Sequence, residues 1–198
     1  MANLFAPLII GIGGTARAGS TSERAVRVAL EAAERMGART KMFDGPFLLK
    51  LPHYAPHQTE RTPEEQEFVA AARECHGIIV GSPGYHGSIS GPIKNALDLL
   101  EDMNQDDRVY IDGCAMGTIV TAYGWLACGT TMVTLRSIAH AIRAWPTPYG
   151  AALNATTPLF DKEGKSIDPK TESQLAIVAE QVVDFARWRH AGQAAKAD

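Results

Sequence analysis

Apolar and polar positions along the chain follow two rhythms. Short, nearly continuous apolar runs rich in β-branched residues, "LIIGIGG" near the start and "GIIVGSP" in the middle, read as buried strands. Between them, apolar residues return every three or four positions, the period of an amphipathic helix. "STSERAVRVALEAAERMG" is such a stretch: Ser20 to Ser22 offer caps, Glu23 falls in the first turn and Gly37 supplies the stop. "TKMFD" is a weaker second strand, followed by the Pro-containing polar loop "LLKLPHYAPHQTERT". "TPEEQEFVAAARECHG" opens as a helix with Thr62, Pro63 and two glutamates. After the "GIIVGSP" strand a helix begins near Gly91, "CAMGTIVTAYG" is a fourth strand ending at Gly124, and a helix runs from about Trp125 to Ile142. "YGAALN" supplies the last strand, "FDKEGKSID" carries turn residues, and "TESQLAIVAEQVVDFARWRH" is a closing amphipathic helix capped at Thr171.

Strands alternating with helices of this length predict βαβ units, hence an α/β fold with a parallel sheet covered on both faces. Five strands suit the flavodoxin-like doubly wound order 2-1-3-4-5, with residues 1–192 as a single domain and 193–198 as a frayed tail. Ligands of such sheets lie beyond the carboxyl ends of the strands, at the switch between the first and third. Two glycine-rich loops of this chain fall at that place.

Composition narrows the partners. The 198 residues, 45% hydrophobic and 21% charged, fit one ordinary globular domain, and the net charge of −3 argues against a nucleic-acid partner. Any phosphate binding is therefore local. Cys75, Cys114 and Cys128 are odd in number and widely spaced, so neither a disulfide framework nor a metal site is expected, and reduced thiols fit a cytoplasmic location. The opening "MANLFAPLIIGIGG" lacks a basic n-region and is too short in apolar residues to span a bilayer, so neither signal peptide nor membrane anchor is expected.

The first loop, "GGTARAGSTSERA", sets hydroxyls at Thr15, Ser20, Thr21 and Ser22 and the Arg17 guanidinium beside the exposed amides of a helix N-terminus. Those donors suit a phosphate monoester; the alternative is that Ser20 to Ser22 only cap the helix. The segment lacks the G-K-[ST] ending of a P-loop, and Ala16 and Arg17 stand where G-x-G-x-x-G needs its third glycine. The second loop, "SPGYHGSISG", can bring the backbone of Pro83, Gly84 and Gly87 to the edge of a planar ring, with Tyr85 and His86 as stacking faces. A third, Thr121, Ala122, Tyr123, Gly124 and Trp125, completes the rim. Together they describe a site for a mononucleotide with a flat heterocycle.

"GGTARAGSTS" followed by "SPGYHGSISGPIKNALD" resembles the NADPH-dependent FMN reductase family over nearly the whole chain. That resemblance implies a flavodoxin-like fold, bound FMN, NADPH or NADH as hydride donor, and a homodimer or homotetramer with the flavin near the subunit interface. Carried over by position, Thr15, Arg17, Ser20 and Ser22 hold the phosphate, while Pro83, Gly84, Tyr85, His86 and Gly87 border the isoalloxazine. The family often has an acidic residue and an asparagine where this chain has Gly84 and His86, and many relatives have a plain Gly-Gly turn where it has "AYGWLACG".

No protein acid, base or nucleophile is required, because the flavin carries the hydride and passes electrons to an acceptor such as free flavin or a quinone. The competing readings are a non-catalytic flavodoxin-type electron carrier and a flavin-free binding module. His53 and His57 read as surface residues, Cys128 as a small buried thiol, Lys94, Asn95 and Asp98 as structural, and Phe185 and Trp188 as packing on the last helix.

Overall fold

A computed structural model describes residues 5–197. Five strand positions form one parallel sheet in the order β2-β1-β3-β4-β5, built from β1 (Leu8–Gly13), β2 (Arg39–Phe43), β3 (Gly77–Pro83), β4 (Ala115–Ala122) and β5 (Trp145–Pro146). The expected order is present, with one difference at the edge. The last strand is split: β5 pairs with the start of β4, and β6 (Ala151–Asn154) pairs with its end. Pro146 and Pro148 have no N–H to give to a ladder, so the chain leaves the sheet between the two segments.

Both faces of the central strands are buried, as parallel sheets require. Alternate side chains divide the core. Ile10, Ile12, Ile78, Val80, Met116 and Val120 face α3 (Pro63–Glu74), α4 (Gly91–Asp98), the 3₁₀ segment Leu99–Met103 and α5 (Trp125–Ala141). Ile9, Ile79 and Ile119 face α1 (Thr21–Arg35) and α6 (Pro169–Ala197).

Helix ends follow local chemistry. Ser20 Oγ accepts the Glu23 amide at the start of α1. Thr62 and Glu65 form a reciprocal capping box ahead of α3, with Pro63 just inside. At α6 the cap is Asp168 rather than the expected Thr171: its carboxylate accepts the amides of Lys170 and Thr171 and the Thr171 hydroxyl, which holds its pKa below the usual value. Helix α6 also continues through Ala197, past Gly192, where the sequence predicts the tail to begin. A one-turn helix, α2 (Gly45–Leu48), follows β2 and is capped by Asp44. Lys94 pairs with Asp98 one turn later, and Asn95 ties the Pro52–Tyr54 loop to α4 by accepting the Tyr54 amide and donating to the Pro52 carbonyl. Trp188 is 70% exposed and does not pack as the sequence led us to expect, whereas Phe185 stacks obliquely on Trp145.

The feature that places the functional edge is a glycine pair. Gly13 and Gly81 are register partners on β1 and β3, and Val26 of α1 sits over both. A Cβ on Gly81 would lie 2.4 Å from Val26 Cγ2 and 3.1 Å from the Ser22 carbonyl oxygen. Only glycine lets the helix lie this close to the sheet. Gly81→Ala is expected to lower stability by about 1–3 kcal/mol through overpacking, read as a fall in the urea midpoint at constant slope; an unchanged midpoint contradicts the close-packing account.

Candidate functional site

Three loops leave the carboxyl edge of the sheet at the β1–β3 switch and enclose a cleft of about 320 Å³. From the β1–α1 loop it takes Thr15, Arg17, Ser20, Thr21 and Ser22; from the β3–α4 loop Pro83, Gly84 and Tyr85; from the β4–α5 loop Thr121, Ala122 and Tyr123. Those residues are brought together as the sequence predicts. His86, Gly87, Gly124 and Trp125 do not line it, and Ala155 lines it unforeseen.

Each placement has a local cause. In the first loop Thr15 Oγ1 accepts the Arg17 amide at 3.0 Å, a short turn that keeps Arg17 at the surface. Ser20 takes both readings offered by the sequence, capping α1 and lining the cleft. The amides of Thr21 and Ser22 have no hydrogen-bond partner among the described residues, because they begin the helix. The Ser20 and Ser22 hydroxyls stand 3.4 Å apart beside them. Among the described residues no carboxylate lies within ion-pair distance of Arg17.

The second loop is tighter than its glycines imply. Tyr85 and Ser88 exchange both backbone bonds at 3.0 Å, and His86 and Gly87 between them have φ of 50° and 80°, a two-residue turn of type I′ sense. That pairing makes His86 and Gly87 the tip of a hairpin, so the cleft is bordered only by the arm Pro83–Tyr85. Gly84 N–H donates to the Thr121 carbonyl at 2.9 Å and fastens this arm to the end of β4. A Cβ at Gly84 would meet Thr131 Oγ1 at 3.0 Å and the Ala127 carbonyl oxygen at 3.1 Å, so α5 occupies the room that a longer side chain here would need.

In the third loop Gly124 is the N-cap of α5, its carbonyl accepting the Cys128 amide, and Trp125 starts the helix with its side chain in solvent. These two serve the helix rather than the cleft wall. Ala155 enters because β6 pairs beside β4: Ala155 N–H donates to the Ala122 carbonyl at 2.8 Å, which carries the segment after β6 to the same edge. A strand adjoining β4 must release its chain there, and that topological signal was available.

The lining contains no His, Cys, Asp or Glu. Cys128 is buried, its pKa pushed up by desolvation. The arrangement therefore offers anion donors at one end, the Pro83–Gly84 arm in the middle and two tyrosine rings at the rim, and it offers no acid–base pair.

The comparisons agree with this geometry. The family model for NADPH-dependent FMN reductase matches residues 7–157, which carry all three loops. A probable NADPH:quinone oxidoreductase 2 of Oryza sativa subsp. japonica is 29% identical over 174 residues, covering 84% of this chain and 82% of that protein. The NADPH-dependent FMN reductase ArsH of Shigella flexneri is 27% identical over 177 residues, covering 89% and 68%. Among solved structures, the flavoenzyme NAD(P)H:(acceptor) oxidoreductase FerB of Paracoccus denitrificans shares the fold with a TM-score of 0.77 at 17% identity, covering 93% of this chain and 99% of that one. A match over most of the chain, with its cleft at the switch point of a flavodoxin-like sheet, places this protein in the NADPH-dependent FMN reductase family.

Proposed function

We propose that this oxidoreductase holds FMN across the β1, β3 and β4 loops, takes a hydride from NADPH or NADH, and delivers electrons to a small planar acceptor such as free flavin or a quinone. The family membership makes it an enzyme with FMN as cofactor rather than a stand-alone electron carrier. One observation carries the placement of the cofactor: two helix amides and a guanidinium without partners among the described residues share one cleft with two hydroxyls, the Pro83–Gly84 arm and two aromatic rings.

Those donors fit a phosphate monoester. Thr21 and Ser22 amides point charge at an anion from the positive end of α1, and Arg17 adds a full charge at the open side. A charge-assisted hydrogen bond contributes about 1.5–3 kcal/mol, so a handful suffices where the whole protein is mildly acidic. The Pro83–Gly84 arm borders the ring's edge, and Tyr85 and Tyr123 flank its plane at the rim. Bound FMN supplies the two-electron chemistry, which is why the lining needs no titrating side chain. The chain's own contribution is position and a fixed polar frame.

Tyr123, Trp125 and Leu126 form an exposed apolar run at the rim, the latter two 66% and 82% exposed. Apolar surface of that kind supports the reading that the chain works as a homodimer or homotetramer, with this rim near a second copy. Three buried free thiols support a reducing, cytoplasmic location. No helix among the described residues is long and apolar enough to cross a membrane.

Anaerobic addition of NADPH or NADH to the FMN-loaded protein is expected to bleach the yellow flavin band, and re-addition of a quinone or free flavin to restore it. A band that persists with both nicotinamides contradicts the reductase reading. Arg17→Ala is expected to weaken FMN binding about tenfold to a hundredfold in a fluorescence-quench titration, with riboflavin binding little changed; an unaltered FMN dissociation constant contradicts the cradle.

A further inference from the structure

A buried carboxylate follows directly after the cleft-lining Ser22. Glu23, the third residue of α1, is 4% exposed, and its Oε2 accepts the Gly19 amide at 3.1 Å. Gly19 has φ of 66° and is the last residue before the cap, so this bond fixes the bend through which the loop enters the helix. Any good acceptor could make that bond. A carboxylate also brings a charge, and next to an anion site that charge opposes binding.

Arg27 answers it one turn later. Its Nε and Nη2 donate to Glu23 Oε1 at 3.1 and 3.0 Å, and the same Nη2 donates to Asp44 Oδ2 at 2.7 Å. Asp44 Oδ1 in turn accepts the Phe47 amide and caps α2. The chain around Gly45 is pressed against the first loop: a Cβ there would lie 2.2 Å from the Thr15 carbonyl oxygen. One guanidinium thus sits between two carboxylates at the root of the loop. Arg24, on the same turn of α1, donates Nη1 to the Asp161 carbonyl and pairs with no carboxylate among the described residues.

We infer that Glu23 and Arg27 are positioning residues of the phosphate cradle: Glu23 sets the Gly19 bend that turns the Thr21 and Ser22 amides outward, and Arg27 cancels the charge Glu23 brings. Arg27 therefore governs how strongly the site prefers FMN to riboflavin, although it does not line the cleft. This rests on the reading of the cleft as an FMN site. Arg27 is itself half-exposed, but Glu23 is buried, so removing the guanidinium leaves the Glu23 charge without its cation beside the proposed cradle.

The test is a set of FMN and riboflavin titrations, by flavin fluorescence at one fixed ionic strength, on wild type, Arg27→Met, Glu23→Gln and the double variant. Wild type is expected to prefer FMN. Arg27→Met is expected to lose FMN affinity by about tenfold or more with riboflavin affinity unchanged, and adding Glu23→Gln to return it to within about threefold of wild type. Glu23→Gln alone keeps an acceptor for Gly19 and is expected to bind FMN at least as tightly as wild type, a result that stands even if Arg27→Met folds poorly. An equal loss of both flavins in Arg27→Met, no recovery in the double variant, or a tenfold loss in Glu23→Gln overturns the inference while leaving the FMN site in place. Wild type that binds both flavins equally overturns the phosphate cradle itself and this inference with it.

Discussion

How closely α1 can approach the sheet is the constraint on which the functional edge depends. Val26 rests on Gly13 and Gly81, two facing positions without side chains, and the helix start is held low over the β1–β3 switch. At that height Thr21 and Ser22, which begin α1, line the crevice, their amides without partners among the described residues. Backbone bonds then gather the other walls: Gly84 to Thr121 joins the second loop to β4, and Ala155 to Ala122 joins the segment after β6. A sequence feature as small as two absent methyl groups thereby reaches, through packing, to where an anion can be received.

The electrostatics are local in the same sense. With a net charge of −3 the chain has no long-range field to attract a phosphate, so recognition falls to a few directional donors at short range. In the proposed cradle, Arg17 at the open side and the helix amides at the closed side divide that task. Beneath them the Glu23–Arg27–Asp44 chain of contacts shows what fixing such a loop costs: the acceptor that pins Gly19 is charged, and a cation is spent on it. The proposed hydride chemistry asks nothing further of the side chains, and the lining contains no His, Cys, Asp or Glu.

Much of this was legible in the residues because the signals are local. Strand and helix rhythms, the Ser20 cap and the Thr62–Glu65 box each depend on neighbours within a few positions, and their alternation implies a parallel doubly wound sheet. What escaped depends on contacts or on competing local choices. Asp168 and Thr171 are both good caps three residues apart, and the carboxylate took the role because it can accept from two amides and the hydroxyl at once. Gly84 and Gly87 were expected at a ring's edge with His86 as a stacking face, yet the paired backbones of Tyr85 and Ser88 close this loop into a hairpin and leave His86 and Gly87 outside the cleft. The split final strand follows from Pro146 and Pro148, whose spacing was readable but whose effect on the sheet edge depended on β4 being long enough to pair twice.

The central claim is that the phosphate of FMN is received by the amides that begin α1. Backbone amide resonances of ¹⁵N-labelled protein report this directly when FMN is added and compared with riboflavin. Large downfield proton shifts of Thr21 and Ser22 with FMN, absent with riboflavin, are the predicted result, with Gly19 little moved because its N–H is already engaged by Glu23. FMN that binds while Thr21 and Ser22 stay where they are contradicts the account.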